Sequence, residues 1–174
     1  MCFKCNISKA TFFLTVVFLF SSFKFINWEY DKKYNSIINK SITKIFSTQT
    51  YKINELKGIN APFYIIKNKD IILGYLVVAH APSKFHRFDY YIIFDKKVDI
   101  LKIEILKYRE NYGAEICSKR WLKKFINIST NDYAEYNKKI DGISGATISV
   151  NSLKKAVFNR TKILKKSIIE IGKN

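Results

Sequence analysis

The clearest chemistry lies in Asp141-Gly142-Ile143-Ser144-Gly145-Ala146-Thr147, a stretch of small residues that ends in a hydroxyl. Glycine accepts positive φ and leaves no side chain in the way of an approaching group. Gly142, Gly145 and the small Ala146 would therefore leave Thr147 as the functional group of a bare turn. An amphipathic segment follows. Leu153, Ala156, Val157, Ile163, Leu164, Ile168 and Ile171 recur at helical spacing from Ser152 onward. Ser149 and Asn151 are the predicted N-cap residues. Thr147 then lies at or just before a helix N-terminus, where unpaired N–H groups and the helix dipole favour a phosphate. On local physics two readings stand: a hydroxyl beside an anion site, or a Ser/Thr-rich helix cap preceded by glycines.

The seven residues resemble the flavinylation motif of the FMN-binding domain family. That family includes the covalent flavin subunits of sodium-pumping NADH:quinone reductase and Rnf complexes, and small stand-alone exported proteins. In it, the last Thr of an Asp-x-x-(Ser/Thr)-Gly-Ala-Thr pattern is esterified to the FMN phosphate by a flavin transferase. Asp141, Ser144, Gly145, Ala146 and Thr147 match every position. The resemblance implies that Thr147 is the attachment site and that Asp141 takes part in transferase recognition.

The likeness continues upstream, more loosely. Family members often carry Glu-Thr-Pro-Gly-x-Gly in a loop that approaches the flavin ring. Here Glu110 and Gly113 match, while Asn111 and Tyr112 replace the Thr-Pro pair. Tyr112 would stack on a ring or sit in a plain surface turn. Lys84 and His86 fall where the family has a Gly-Lys-x-x-Pro-like segment, and would set positive charge near a flavin or simply face solvent. The implied protein is an extracytoplasmic electron-transfer domain with covalent FMN. It would be a redox carrier or oxidoreductase component rather than a self-contained enzyme. Its partners would be a flavin transferase and redox donor and acceptor proteins. The alternative is a membrane-proximal, non-redox binding or scaffold protein that keeps the FMN-binding fold.

Composition narrows the field. The chain has 174 residues, 48% of them hydrophobic, enough for one domain with a true core. Its net charge of +17 raises nucleic acid or a membrane surface as partners. The basic residues are spread along the chain, and only Arg87, Arg109, Arg120 and Arg160 are arginines. Base readers lean on Arg, so nucleic acid is disfavoured as a partner. Nicotinamide chemistry is disfavoured, since no G-x-G-x-x-G is present. Cys2, Cys5 and Cys117 make no disulfide framework, and His80 and His86 have no matching Cys/His cluster for a metal.

Lys4 and Lys9 precede an uncharged, mostly apolar run at 10–23. That is short for a bilayer span of about 20 residues and right for a signal h-region. Leu19 and Phe20 make a poor cleavage context. A cleaved signal and an uncleaved membrane anchor both fit, and either places the rest outside the cytoplasm, membrane-anchored or periplasmic.

The elements that must position the chemistry follow from periodicity. A helix is predicted over 31–46 and an irregular stretch over 47–60. Strands are predicted over 63–67, 71–79, 88–94 and 98–108, with turns at 68–70 and 95–97. A short helix capped by Ser118 is predicted over 118–125 with Trp121 in the core, then a polar loop over 127–137. In the last strand Leu101, Ile103 and Ile105 share a face opposite charged residues, which predicts one buried and one wet side. The fold class is α+β: an antiparallel sheet packed with helices, after a signal or anchor segment. The predicted divisions are a signal or anchor at 1–28, a helix and linker at 29–60, and an FMN-binding domain at 61–174.

Overall fold

Five strands form one antiparallel meander in the order β1-β2-β3-β4-β5. They are β1 (Lys52–Glu55), β2 (Phe63–Asn68), β3 (Ile71–Pro82), β4 (Arg87–Asp95) and β5 (Ile100–Lys107). The structure is a computed structural model that describes residues 34–172, apart from 58, 60, 127, 129 and 131. The predicted signal or anchor lies outside the described residues. Among those described, no helix is long and apolar enough to cross a membrane.

Short turns explain the meander. Lys69 takes φ 53° between β2 and β3. The Asp95 carboxylate accepts from the Lys97 and Asp99 N–H groups, each at 2.8 Å, and closes the β4–β5 turn. The helices are α1 (Asn35–Phe46), α2 (Lys119–Leu122), α3 (Tyr133–Lys138) and α4 (Thr147–Ile171). Two 3-10 turns, Ala114–Cys117 and Lys123–Phe125, flank α2.

Strand alternation sorts the core into two layers. Tyr75, Val77, Ala79 and Ala81 of β3 pair with Phe94, Ile92, Tyr90 and Phe88 of β4. All eight are buried, in one cluster with Trp121, Phe125, Tyr136, Val150, Leu153, Val157 and Leu164. The intervening residues face the other way, and Leu76, Val78, Tyr91 and Ile93 are equally buried. The helix α1 covers them. Ile38 and Ile42, one turn apart, are fully buried. Ser41 Oγ lies 2.8 Å from Tyr91 Oη, and Tyr34 donates to Asp89 at 2.7 Å. Gly74 is required by this packing: a Cβ there would strike the Phe94 carbonyl and lie 3.0 Å from the Phe46 ring.

This corrects the expectation of one wet face. At β3 and β4 the second face is buried under α1, so β4 is buried from Phe88 to Phe94 without alternation, whereas on β5 the charged side stays partly exposed. Two polar residues on that face are hydrogen-bonded and only partly exposed. Glu104 accepts from Tyr91 at 2.7 Å and from Lys102 at 2.8 Å, and Lys102 also donates to Ser41. The described residues belong to one compact unit, Lys32–Asn174, of which α1 and β1 are part.

Two element predictions also need correction. β1 forms within the stretch read as irregular, because pairing with β2 organises four residues of no distinct pattern. α3 forms within the stretch read as loop, where the Asp132 carboxylate accepts from the Glu135 N–H at 2.8 Å. Among the described residues, Cys117 is free and exposed.

Candidate functional site

α4 begins at Thr147, with Ala146 at the N-cap and no side-chain cap. Its first intrahelical bond runs from the Val150 N–H to the Ala146 carbonyl at 2.9 Å. The amides of Thr147, Ile148 and Ser149 thus have no acceptor within the helix. The predicted caps Ser149 and Asn151 lie inside the helix instead. Gly145 takes φ +75°, the turn conformation that brings Ala146 into position, and nothing lies within 4 Å of where its Cβ would be. Gly142 is equally open. Thr147 and Ser144 are exposed, and Ala146 is buried.

Ala146 is buried because a second segment presses on it. Gly113 takes φ +76°, and a Cβ there would lie 2.5 Å from the Ala146 Cβ. Glycine at 113 therefore satisfies both a left-handed turn and the close approach of Ala146. The fold brings together Glu110, Gly113 and the Gly145-Ala146-Thr147 corner, some thirty residues apart in sequence.

A third segment, the β3–β4 connection, completes the site. The Glu110 carboxylate accepts from the Phe85 and His86 N–H groups, both at 2.9 Å. Those two bonds hold its carboxyl below the usual range. Lys84 and His86 sit on this loop and are exposed, with the Lys84 ammonium 5.0 Å from the Phe85 ring centroid. Phe85 and Tyr112, on two adjoining loops, are largely exposed.

Buried hydroxyls lock the segments together, and sequence reading missed them. Ser149 Oγ is 2.5 Å from Ser83 Oγ and 3.0 Å from Tyr108 Oη, and Tyr108 donates to the Tyr112 carbonyl at 3.2 Å. A carbonyl only accepts, so with the Tyr108 proton spent there, the Ser149 hydroxyl is the donor toward Tyr108. Ser152 donates to the Pro82 carbonyl. These partners lie 41 to 70 residues apart, and no local pattern announces them.

Asp141 is fixed at the other end of the motif. Its carbonyl accepts from the Trp121 indole N–H at 3.0 Å. Its carboxylate pairs with Lys124 and stays exposed, and that pairing lowers its pKa. Lys154, buried in α4, donates to the preceding Ile140 carbonyl at 2.5 Å and to Asn137 at 3.2 Å. Trp121 is core, as expected, and also a tether.

Arg109 anchors the loop that carries Glu110. It donates to Asp89 at 2.5 Å and to the Arg87 carbonyl at 2.6 Å. Burial raises the Asp89 pKa, but its bonds from Arg109 and Tyr34 outweigh that and leave it lowered. Beside it, Arg87 donates to His80 Nε2 at 2.9 Å, and burial together with Arg87 keeps His80 below its ordinary pKa.

Glu110→Ala should free the 83–87 loop without unfolding the domain. The Phe85 and His86 amides should lose their hydrogen-exchange protection at neutral pH. Acid should do the same to the wild type. A carboxyl with a lowered folded pKa contributes its stabilisation above its unfolded pKa of about 4.3 and loses it as pH falls through the folded value. Unchanged exchange at these two amides in the variant would show that Glu110 does not hold the loop.

A five-stranded meander with helices on both faces, and an exposed hydroxyl at the start of its longest helix, defines a small α+β domain. Residues 87–161 match the family model of the FMN-binding domain. The match supports a flavin-binding role with FMN as the cofactor. It covers β4 to the middle of α4, including Glu110, Gly113 and the whole 141–147 motif. No curated protein matches the chain.

Proposed function

We propose that this chain is an extracytoplasmic electron-transfer domain that carries FMN through a phosphoester on Thr147. The observation that carries the reading is the exposed Thr147 hydroxyl at the first position of α4, in a segment of the FMN-binding family.

The residues present fit the group. Gly142 and Gly145 have open surroundings, which leaves an approach to the hydroxyl. The amides of Thr147, Ile148 and Ser149 would receive the phosphate, and the positive end of α4 favours its remaining charge by up to about 1 kcal/mol at an exposed site. Attachment would form the Thr147 Oγ–phosphorus bond as the pyrophosphate P–O bond of a flavin dinucleotide donor breaks, the donor's nucleoside monophosphate leaving and the hydroxyl proton passing to it or to solvent. The motif also contains a chemical competitor, Ser144, and Ser149 lies two residues beyond Thr147. Ser149 is 2% exposed and held between Ser83 and Tyr108, so a transferase has no access to it.

Bound FMN supplies the redox chemistry, while the protein supplies binding and orientation. Glu110 holds the 84–86 loop against the loop containing Tyr112 and Gly113. Lys84 then adds positive charge at the rim, with His86 beside it. Asp141, with its carbonyl tied to Trp121, offers an exposed carboxylate for transferase recognition. Redox donor and acceptor proteins would meet the domain at this end. The apolar run at 10–23 would take the chain to, or through, the membrane.

Intact-protein and peptide mass analysis tests the reading. The full chain is co-expressed with a flavin transferase in the exporting compartment. The expected product has gained one FMN less one water, mapped to Thr147. Unmodified protein, under conditions that modify another member of the family, would favour the non-redox binding or scaffold role.

A further inference from the structure

Lys154 is the only buried lysine among the described residues, at 5% exposed. It forms no ion pair with a described residue. Its ammonium donates instead to two backbone carbonyls, Ile140 at 2.5 Å and Asn137, in the last turn of α3, at 3.2 Å. Burial lowers its pKa, and the Asp141 carboxylate opposes that. A buried charge is costly to fold around, and an apolar side chain of similar volume is often no worse for stability. A lysine at 154 calls for a reason beyond packing.

Its partners supply one. Thr147 and Lys154 lie on the same helix, α4, seven residues and about 10 Å apart along its axis. Residues 141–146 therefore run between two points fixed to that helix: Ile140, held by Lys154, and Thr147, its first residue. Between those points an added Cβ at Gly142 or Gly145 would meet nothing within 4 Å, so packing restrains the loop little there. The Trp121 indole N–H adds a second hold, on the Asp141 carbonyl at 3.0 Å. Asp141 is thus set relative to Thr147 by bonds from α4 and α2, although glycines separate the two in sequence.

We propose that Lys154 is a positioning residue for flavinylation. By holding the Ile140 carbonyl it keeps the Asp141 carboxylate at a set distance from the Thr147 hydroxyl, so that one transferase engages both. The inference rests on the proposed FMN attachment, with Asp141 as a recognition group. A loop released at Ile140 would present the two groups at many separations, and the transferase would have to order it on binding. The effect then falls on binding of the acceptor protein and leaves the transfer step as it was.

The test is the initial rate of flavinylation of the full chain by a flavin transferase supplied with a flavin dinucleotide. Intact mass reads the product over a range of acceptor-protein concentrations, and circular dichroism checks that each variant is folded. Lys154→Met keeps the unbranched stem and loses the ammonium. It should raise KM for the acceptor about tenfold with kcat unchanged. Lys155→Met, at the exposed neighbouring position, should match the wild type. Lys154→Gln keeps an N–H donor without the charge. It should fall between Lys154→Met and the wild type, and it replaces Lys154→Met in every comparison if the latter unfolds. In an Asp141→Asn background, Lys154→Met should cost much less than it does alone, because it acts through Asp141. A wild-type KM in the Lys154 variants, a loss confined to kcat, or losses that multiply in the double variant would overturn this inference and leave FMN at Thr147. An unmodified wild type would overturn the attachment itself, and this inference with it.

Discussion

Thr147→Ala is expected to abolish covalent FMN attachment entirely while the domain stays folded. Thr147 is exposed, at the first helical position, with no side-chain cap beside it. Its replacement should change stability by less than about 0.5 kcal/mol, as for other surface substitutions. The loss is all-or-none because the neighbouring hydroxyls are unequal. Ser149 is buried and engaged. Ser144 is exposed but lies on the turn before Gly145, away from the free amides at the start of α4. Ser144→Ala should therefore retain the modification at Thr147. Mass mapping decides: an FMN-modified peptide from Thr147→Ala, at Ser144 or anywhere else, would refute the site and keep the function.

The second large effect should come from removing α1 and β1. A chain beginning at residue 61 contains the whole segment matched by the family model, yet it should fail to unfold cooperatively. Ile38 and Ile42 are fully buried, and burial of each is worth about 1.5–3 kcal/mol. Leu76, Val78, Tyr91 and Ile93 would lose their cover at the same time, and each is at most 1% exposed. The combined loss reaches the 5–15 kcal/mol, roughly, by which domains are stable. Asp89 would also lose the Tyr34 hydroxyl at 2.7 Å, beside the Arg109 that anchors the Glu110 loop. A chain beginning at residue 33 should unfold in a single cooperative transition. Thermal unfolding followed by circular dichroism compares the two. A cooperative transition for 61–174 equal to that of 33–174 would show that α1 is dispensable.

Local patterns exposed most of the frame. The apolar run at 88–94 gave a strand that proved to be β4, and the helical stripe from Leu153 to Ile171 gave most of α4. The 141–147 motif put a hydroxyl near a helix start because glycines and small residues restrict what such a turn can present. The four main strands, the α+β class and Ser118 as the cap of α2 were legible for similar reasons, since each depends on neighbours within a few residues. The Ser118 hydroxyl does accept from the Trp121 N–H, at 3.2 Å.

What the sequence by itself determined about this protein was the set of parts: an antiparallel sheet, a long final helix, and a threonine at its start. Tertiary structure alone decided which parts meet. The pressure of Gly113 on Ala146, the hold of Glu110 on Phe85 and His86, and the burial of Ser149 between Ser83 and Tyr108 join residues from three separate loops. Such contacts have no period, so strand and helix spacing carry no trace of them. The covering of the second sheet face was likewise invisible along the chain. Lys102 and Glu104 read as solvent-facing by type, and only the fold brings Ser41 of α1 to Lys102 and Tyr91 to Glu104, while Tyr34, just before α1, and Arg109 meet Asp89.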